Sequence, residues 1–153
     1  MDNISQMVLN DLLRGIHQEP IIAVNFNPTP SEHIVLKELE FYDENYVRFC
    51  MIENVTFDRC KFNTMSFRNC YLQNVRFVDC RYGNRTCKCC KRPLPLFHDC
   101  ALLNVNLSMP SEYGIEILLD CSYSDLVLHK GSAPIADYKP LLKLVVAPPR
   151  IIK

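Results

Sequence analysis

The side chains best equipped for chemistry gather in one short stretch. Cys87 and Cys90 form a Cys-x-x-Cys pair, with His98 and Cys100 downstream. Three thiolates and an imidazole are a tetrahedral donor set for zinc. Lys88, Lys91 and Arg92 lie among them, and nearby positive charge favours the thiolate over the thiol. The spacing Cys-x2-Cys-x7-His-x-Cys fits no defined zinc-finger pattern, and all three cysteines fall in phase with a longer repeat: Cys90 and Cys100 continue its cysteine series and Cys87 its large-residue series. Zinc ligation and plain packing are therefore both open readings of this set.

Other chemistry is sparse. His17, His33 and His129 stand in separate segments, and nothing orders a base beside a particular thiol. No glycine-rich phosphate loop, carboxylate pair or nucleophile elbow is present, so the chain is not expected to be an enzyme. Charge is the remaining signal. Residues 47–98 hold ten Lys and Arg against Glu53, Asp58 and Asp79, a net +7 balanced by −7 elsewhere. A basic middle between acidic ends suits an acidic protein surface or nucleic acid, with Arg48, Arg68, Lys61, Arg81, Lys88, Lys91 and Arg92 as contact residues.

What must position these residues is a repeat. From Val47 to Tyr82 every fifth residue is apolar: Val47, Ile52, Phe57, Phe62, Phe67, Leu72, Phe77, Tyr82. Two places before most of these runs a second ladder, Cys50, Val55, Cys60, Met65, Cys70, Val75, Cys80. A five-residue period would wind the large residues around every face of a helix and flip alternate ones across a strand. Only a chain that turns a corner at each repeat points them all at one axis, which is a solenoid.

The motif [Cys/Val/Met]-x-[Phe/Leu]-x-x, as in Asn54-Val55-Thr56-Phe57-Asp58 and Asn74-Val75-Arg76-Phe77-Val78, resembles the pentapeptide-repeat family. The resemblance implies a mainly β fold, a right-handed quadrilateral β-helix with four repeats per coil. Phe replaces much of the usual Leu at the centre, and Cys and Val replace Ala. With a twenty-residue coil, Phe57 stacks on Phe77 and Cys50 on Cys70 at the strand spacing of roughly 4.8 Å. Outside, Asn54 meets Asn74 and Arg59 meets Asp79, while Arg48 on Arg68 and Lys61 on Arg81 oppose like charges. Some family members inhibit DNA topoisomerases with an acidic coil; this coil is basic and short, so that activity is not carried over.

The chain of 153 residues is expected to be one domain. Residues 1–46 cap the coil, beginning with an amphipathic helix at 3–16 whose face is Ile4, Met7, Val8, Leu12 and Ile16. The interrupted coil spans 47–128, with loops at 83–98 and 108–119. After the first loop the ladders resume at Cys100 and Leu102, so the loop either replaces part of a coil or bulges from it. The tail, 129–153, carries a proline-bracketed strand-like run, Leu141, Leu142, Leu144, Val145 and Val146, that can cap the coil or dock on a partner's sheet edge. No signal peptide or membrane span is expected, and nine cysteines without a leader point to a reducing compartment, cytoplasmic or nuclear. The functional expectation is a non-catalytic structural or protein-interaction subunit of a larger assembly, a virion being one conceivable setting. The alternative is a zinc-stabilised nucleic-acid-binding module.

Overall fold

The computed structural model describes residues 3–15, 20–29, 31–41, 47–62, 65–82, 95–109, 118–130 and 133–134. Helix α1 (Asn3–Leu13) is followed by β1 (Ile21–Ile22), β2 (Ile34–Lys37), β3 (Glu40–Phe41), β4 (Val47–Arg48), β5 (Met51–Asp58) and β6 (Lys61–Phe62). Then come β7 (Phe67–Arg68), β8 (Tyr71–Val78), β9 (Phe97–His98), β10 (Ala101–Met109), β11 (Leu118–Leu119), β12 (Ser122–Lys130) and β13 (Ala133–Pro134). Successive coils pair in parallel, giving a first sheet β1-β4-β7-β9-β11, a second sheet β13-β12-β10-β8-β5-β2 and a third, β3-β6. The protein is a mainly β solenoid with one short N-terminal helix.

The corners explain the period. Phe49, Asn54 and Arg59 in one coil, and Asn69, Asn74 and Asp79 in the next, all hold φ between 51° and 57°. Each sits one place before an inward residue of the slim ladder, so the backbone turns once per repeat. Of the twelve non-glycine residues in this left-handed region among the described residues, eight are Asn or Asp, the types that adopt it at least cost. A chain with only four glycines can therefore turn at every repeat.

Register matches the expected twenty-residue coil where the repeat is cleanest: Val47 lies beside Phe67, Ile52 beside Leu72 and Phe57 beside Phe77. Elsewhere the coil length changes. Leu36 pairs with Phe57 and Leu102 with Tyr123, offsets of twenty-one, which accounts for the altered phase at both ends. Between β8 and β10 the offset is thirty, Leu72 beside Leu102. The first loop therefore adds ten residues to a continuing coil, and Cys100 takes its place over Cys70, whose carbonyl accepts from Ala101 N at 3.0 Å.

The axis is filled by rings. Phe57 stacks on Phe77 with centroids 4.9 Å apart, Phe41 on Phe62 at 5.2 Å and Phe67 on Phe97 at 5.3 Å. Between faces the rings meet edge-on, as in Phe57–Phe62 at 78° and Phe77–Phe97 at 77°, the arrangement favoured by the aromatic quadrupole. Outside, Asn74 Nδ2 donates to Asn54 Oδ1 at 2.7 Å and Asn104 Nδ2 to Asn74 Oδ1 at 3.3 Å, extending the expected amide ladder by one coil.

Helix α1 covers the first coil with only part of the expected face: Leu12 and Val8 pack on the core, but Ile4 and Met7 do not. Ser5, Leu9 and Leu12 are buried, whereas Ile4 and Met7 are 67% and 65% exposed. The Asn25 amide donates to Ser5 Oγ at 2.9 Å and turns this stripe, spaced four and three residues, onto the coil. At the other end β13 pairs antiparallel with β12; the run Leu141–Val146 lies outside the described residues. Among the described residues no helix is long and apolar enough to cross a membrane.

Candidate interaction face

The first sheet is made of five two-residue strands, each with one side chain inward and the next outward. Ile21, Val47, Phe67, Phe97 and Leu118 enter the core. The alternation leaves Ile22, Arg48, Arg68, His98 and Leu119 as an outward column, in register along the solenoid. A second column follows at the adjoining corner: Ala23, Phe49, Asn69, Asp99 and Asp120, all at positive φ. Its regularity comes from one repeated bond, with Ala23, Phe49, Asn69 and Asp99 donating their amides to Arg48, Arg68, His98 and Leu119 of the next coil at 2.9–3.0 Å.

The arginines of this face are unusual. Arg48 and Arg68 are half-buried, and the Nε of each is covered without a hydrogen-bond partner. Neither belongs to the ion pairs among the described residues, which involve Arg59, Lys61 and His98. Two guanidiniums one rung apart repel, and a covered Nε left unsatisfied costs about 1–3 kcal/mol. Beside them Phe49 is 59% exposed.

Further along the same face His98 Nε2 lies 3.5 Å from Asp99 Oδ2, both side chains partly covered. One ligand atom each from His98, Asp99 and Asp120 falls within a 4.8 Å group. An imidazole with two carboxylates is a donor set for a divalent transition metal. Arg68, in register with His98, sets a guanidinium about one strand spacing away, which opposes a further cation.

The remaining basic residues are elsewhere. Lys61 and Arg81 do stack, but on the third sheet, where Lys61 Nζ is 3.4 Å from Glu40 Oε1. Arg59 shares a corner with Glu38 and Asp79, with Asp79 favouring its charge as expected, and its ion pairs run to Glu38 and Asp58 at 3.3 and 3.4 Å. These residues line a shallow groove with alternating charge. Lys88, Lys91 and Arg92 lie outside the described residues, as do Cys87 and Cys90.

Of the expected zinc ligands, His98 faces outward, while Cys100 is a core residue whose thiol donates to the carbonyls of Phe67 and His98 at 3.2 and 3.5 Å. It belongs to an inner column Cys50, Cys70, Cys100, Cys121; Cys60 and Cys80 form another. Every one of these thiols donates to the carbonyl two residues back and to one in the preceding coil, as Cys121 does to Leu119 and Phe97, both at 3.4 Å. The hydrogen bond with Cys70 and burial push the Cys50 thiol far above its ordinary value, and Cys60 and burial do the same to Cys80. All six thiols are buried, and a covered thiol is a poor nucleophile because reagents do not reach it. Cysteine suits these corners because it is slim and also satisfies a carbonyl.

Asp99 and Asp120 escaped the sequence reading. Their signal was positional: each precedes an inward cysteine, as Asn69 precedes Cys70. No family model, curated protein or solved structure matches the chain.

Proposed function

We propose that the chain is a non-catalytic structural and interaction subunit of a larger assembly, built on the four-sided right-handed coil of the pentapeptide-repeat kind. The kinship rests on the repeat itself, its corner every five residues and its twenty-residue register. The observation that carries the functional reading is the pair Arg48 and Arg68. They are half-buried, stacked and without an ion pair among the described residues, beside an exposed Phe49, an arrangement that costs the isolated chain and is relieved by a partner's carboxylates. Arginine and aromatic side chains together are the composition of protein contact hot spots.

The division of basic residues among faces favours a protein partner over nucleic acid, whose phosphates require a continuous cationic track. Free core thiols agree with a reducing compartment. The run Leu141–Val146 supplies a second contact under this reading.

The test is immobilised chain as bait, with Arg48→Glu/Arg68→Glu and a chain ending at Ala133 alongside. The reading expects stoichiometric capture of a protein by the wild type and its loss in the arginine variant at an unchanged unfolding midpoint. Equal capture by both would refute the role of the face, and steeply salt-dependent binding of DNA or RNA in place of protein would favour the nucleic-acid module.

A further inference from the structure

We infer that the first-sheet face binds a second copy of this chain, the two solenoids running antiparallel about a two-fold axis. This rests on the subunit reading above and names its partner. Along the solenoid the face reads Ile22 with Ala23, Arg48 with Phe49, Arg68 with Asn69, His98 with Asp99, and Leu119 with Asp120. Guanidiniums occupy its first half and carboxylates its second. An isologous contact requires a patch that complements itself on reversal, and this patch does.

The axis crosses the face between the Arg68 and His98 rungs, because an axis through the Arg68 rung would set that guanidinium against itself. Reversal then places the Arg68 and Asn69 rung over His98 and Asp99 of the second copy, and the Arg48 and Phe49 rung over its Leu119 and Asp120. The diagonals of each rung pair match in kind. Arg68 reaches a carboxylate at Asp99 and Arg48 one at Asp120, within the span of an arginine side chain. Phe49 covers Leu119, so side chains 59% and 39% exposed in the single chain meet each other. The carboxylates then meet the guanidiniums on their exposed side, and each ion pair forms twice by symmetry.

Four facing rungs at roughly 4.8 Å make a small interface, so the dimer is weak and salt-sensitive. Sedimentation of the full chain under reducing conditions, from roughly 10 µM to 1 mM at low salt, reads it. The wild type is expected to dimerise. Arg48→Asp/Arg68→Asp and Asp99→Arg/Asp120→Arg should each raise the dissociation constant at least about tenfold, and mixing the two variants should restore a one-to-one dimer. Arg59 already occupies a corner at φ 54°, so arginine is admissible at Asp99 and Asp120. Asp99→Asn/Asp120→Asn, which copies Asn69, serves if the reversal fails to fold and should weaken the dimer as well. A wild type that stays monomeric throughout, or a mixture that stays monomeric with both variants folded, overturns the proposal. A monomer that still captures another protein through Arg48 and Arg68 overturns the second copy alone and leaves the subunit reading standing.

Discussion

Individual side chains divide cleanly into those that build the wall and those that line its outside. Phe57 and Phe77 stack at the centre, fully buried, and Phe57→Ala or Phe77→Ala should cost about 3–5 kcal/mol in urea unfolding, most of a small domain's stability. Asn74 combines a corner φ of 54° with the amide ladder, so Asn74→Ala should lose about 1–3 kcal/mol and Asn74→Gly less, since glycine retains the turn. The six core thiols should resist iodoacetamide at pH 8 until denaturant is added, as peptide mass mapping would register. Labelling of Cys70 or Cys100 in the folded chain would show the wall to be open there. At this scale the sequence displayed the inward ladder plainly, because burial imposes a strict residue type at each fifth position. It displayed the outward carboxylates poorly, because an Asp at a corner is chosen for its backbone and looks the same whether or not it also faces a partner.

Elements were readable in proportion to their regularity. The register of Met51–Asp58 on Tyr71–Val78 followed from period five together with the four-repeat coil that the resemblance implies. The insertion after Tyr82 could not be placed by phase, since ten extra residues are two whole repeats and leave the ladder in step. Only pairing shows that Cys100 rests on Cys70. Helix α1 was found with its face only partly right, Leu12 and Val8 inward but Ile4 and Met7 not, because its apolar residues surround much of the helix and the deciding contact is a serine. Leu9→Ala should therefore cost about 2–4 kcal/mol, whereas Ile4→Lys with Met7→Lys should stay within about 0.5 kcal/mol of wild type. The opposite order in thermal unfolding would restore the Ile4 and Met7 face as the buried one.

For the molecule as a whole, a solenoid separates stability from recognition: the axis holds the coils together and the lateral faces remain available. On this account Arg48 and Arg68 contribute nothing to the fold and weaken it slightly, since they oppose like charges with covered, unpartnered Nε groups. Their value lies in a partner's carboxylates. The sign of a single charge reversal decides between that account and a structural role. Urea unfolding of dilute, monomeric Arg68→Glu should give a stability equal to wild type or up to about 1 kcal/mol higher, because the introduced carboxylate would attract Arg48 where the native guanidinium repels it. A loss of about 2 kcal/mol, the size expected for breaking a buried interaction, would contradict the account and make the arginine column part of the architecture.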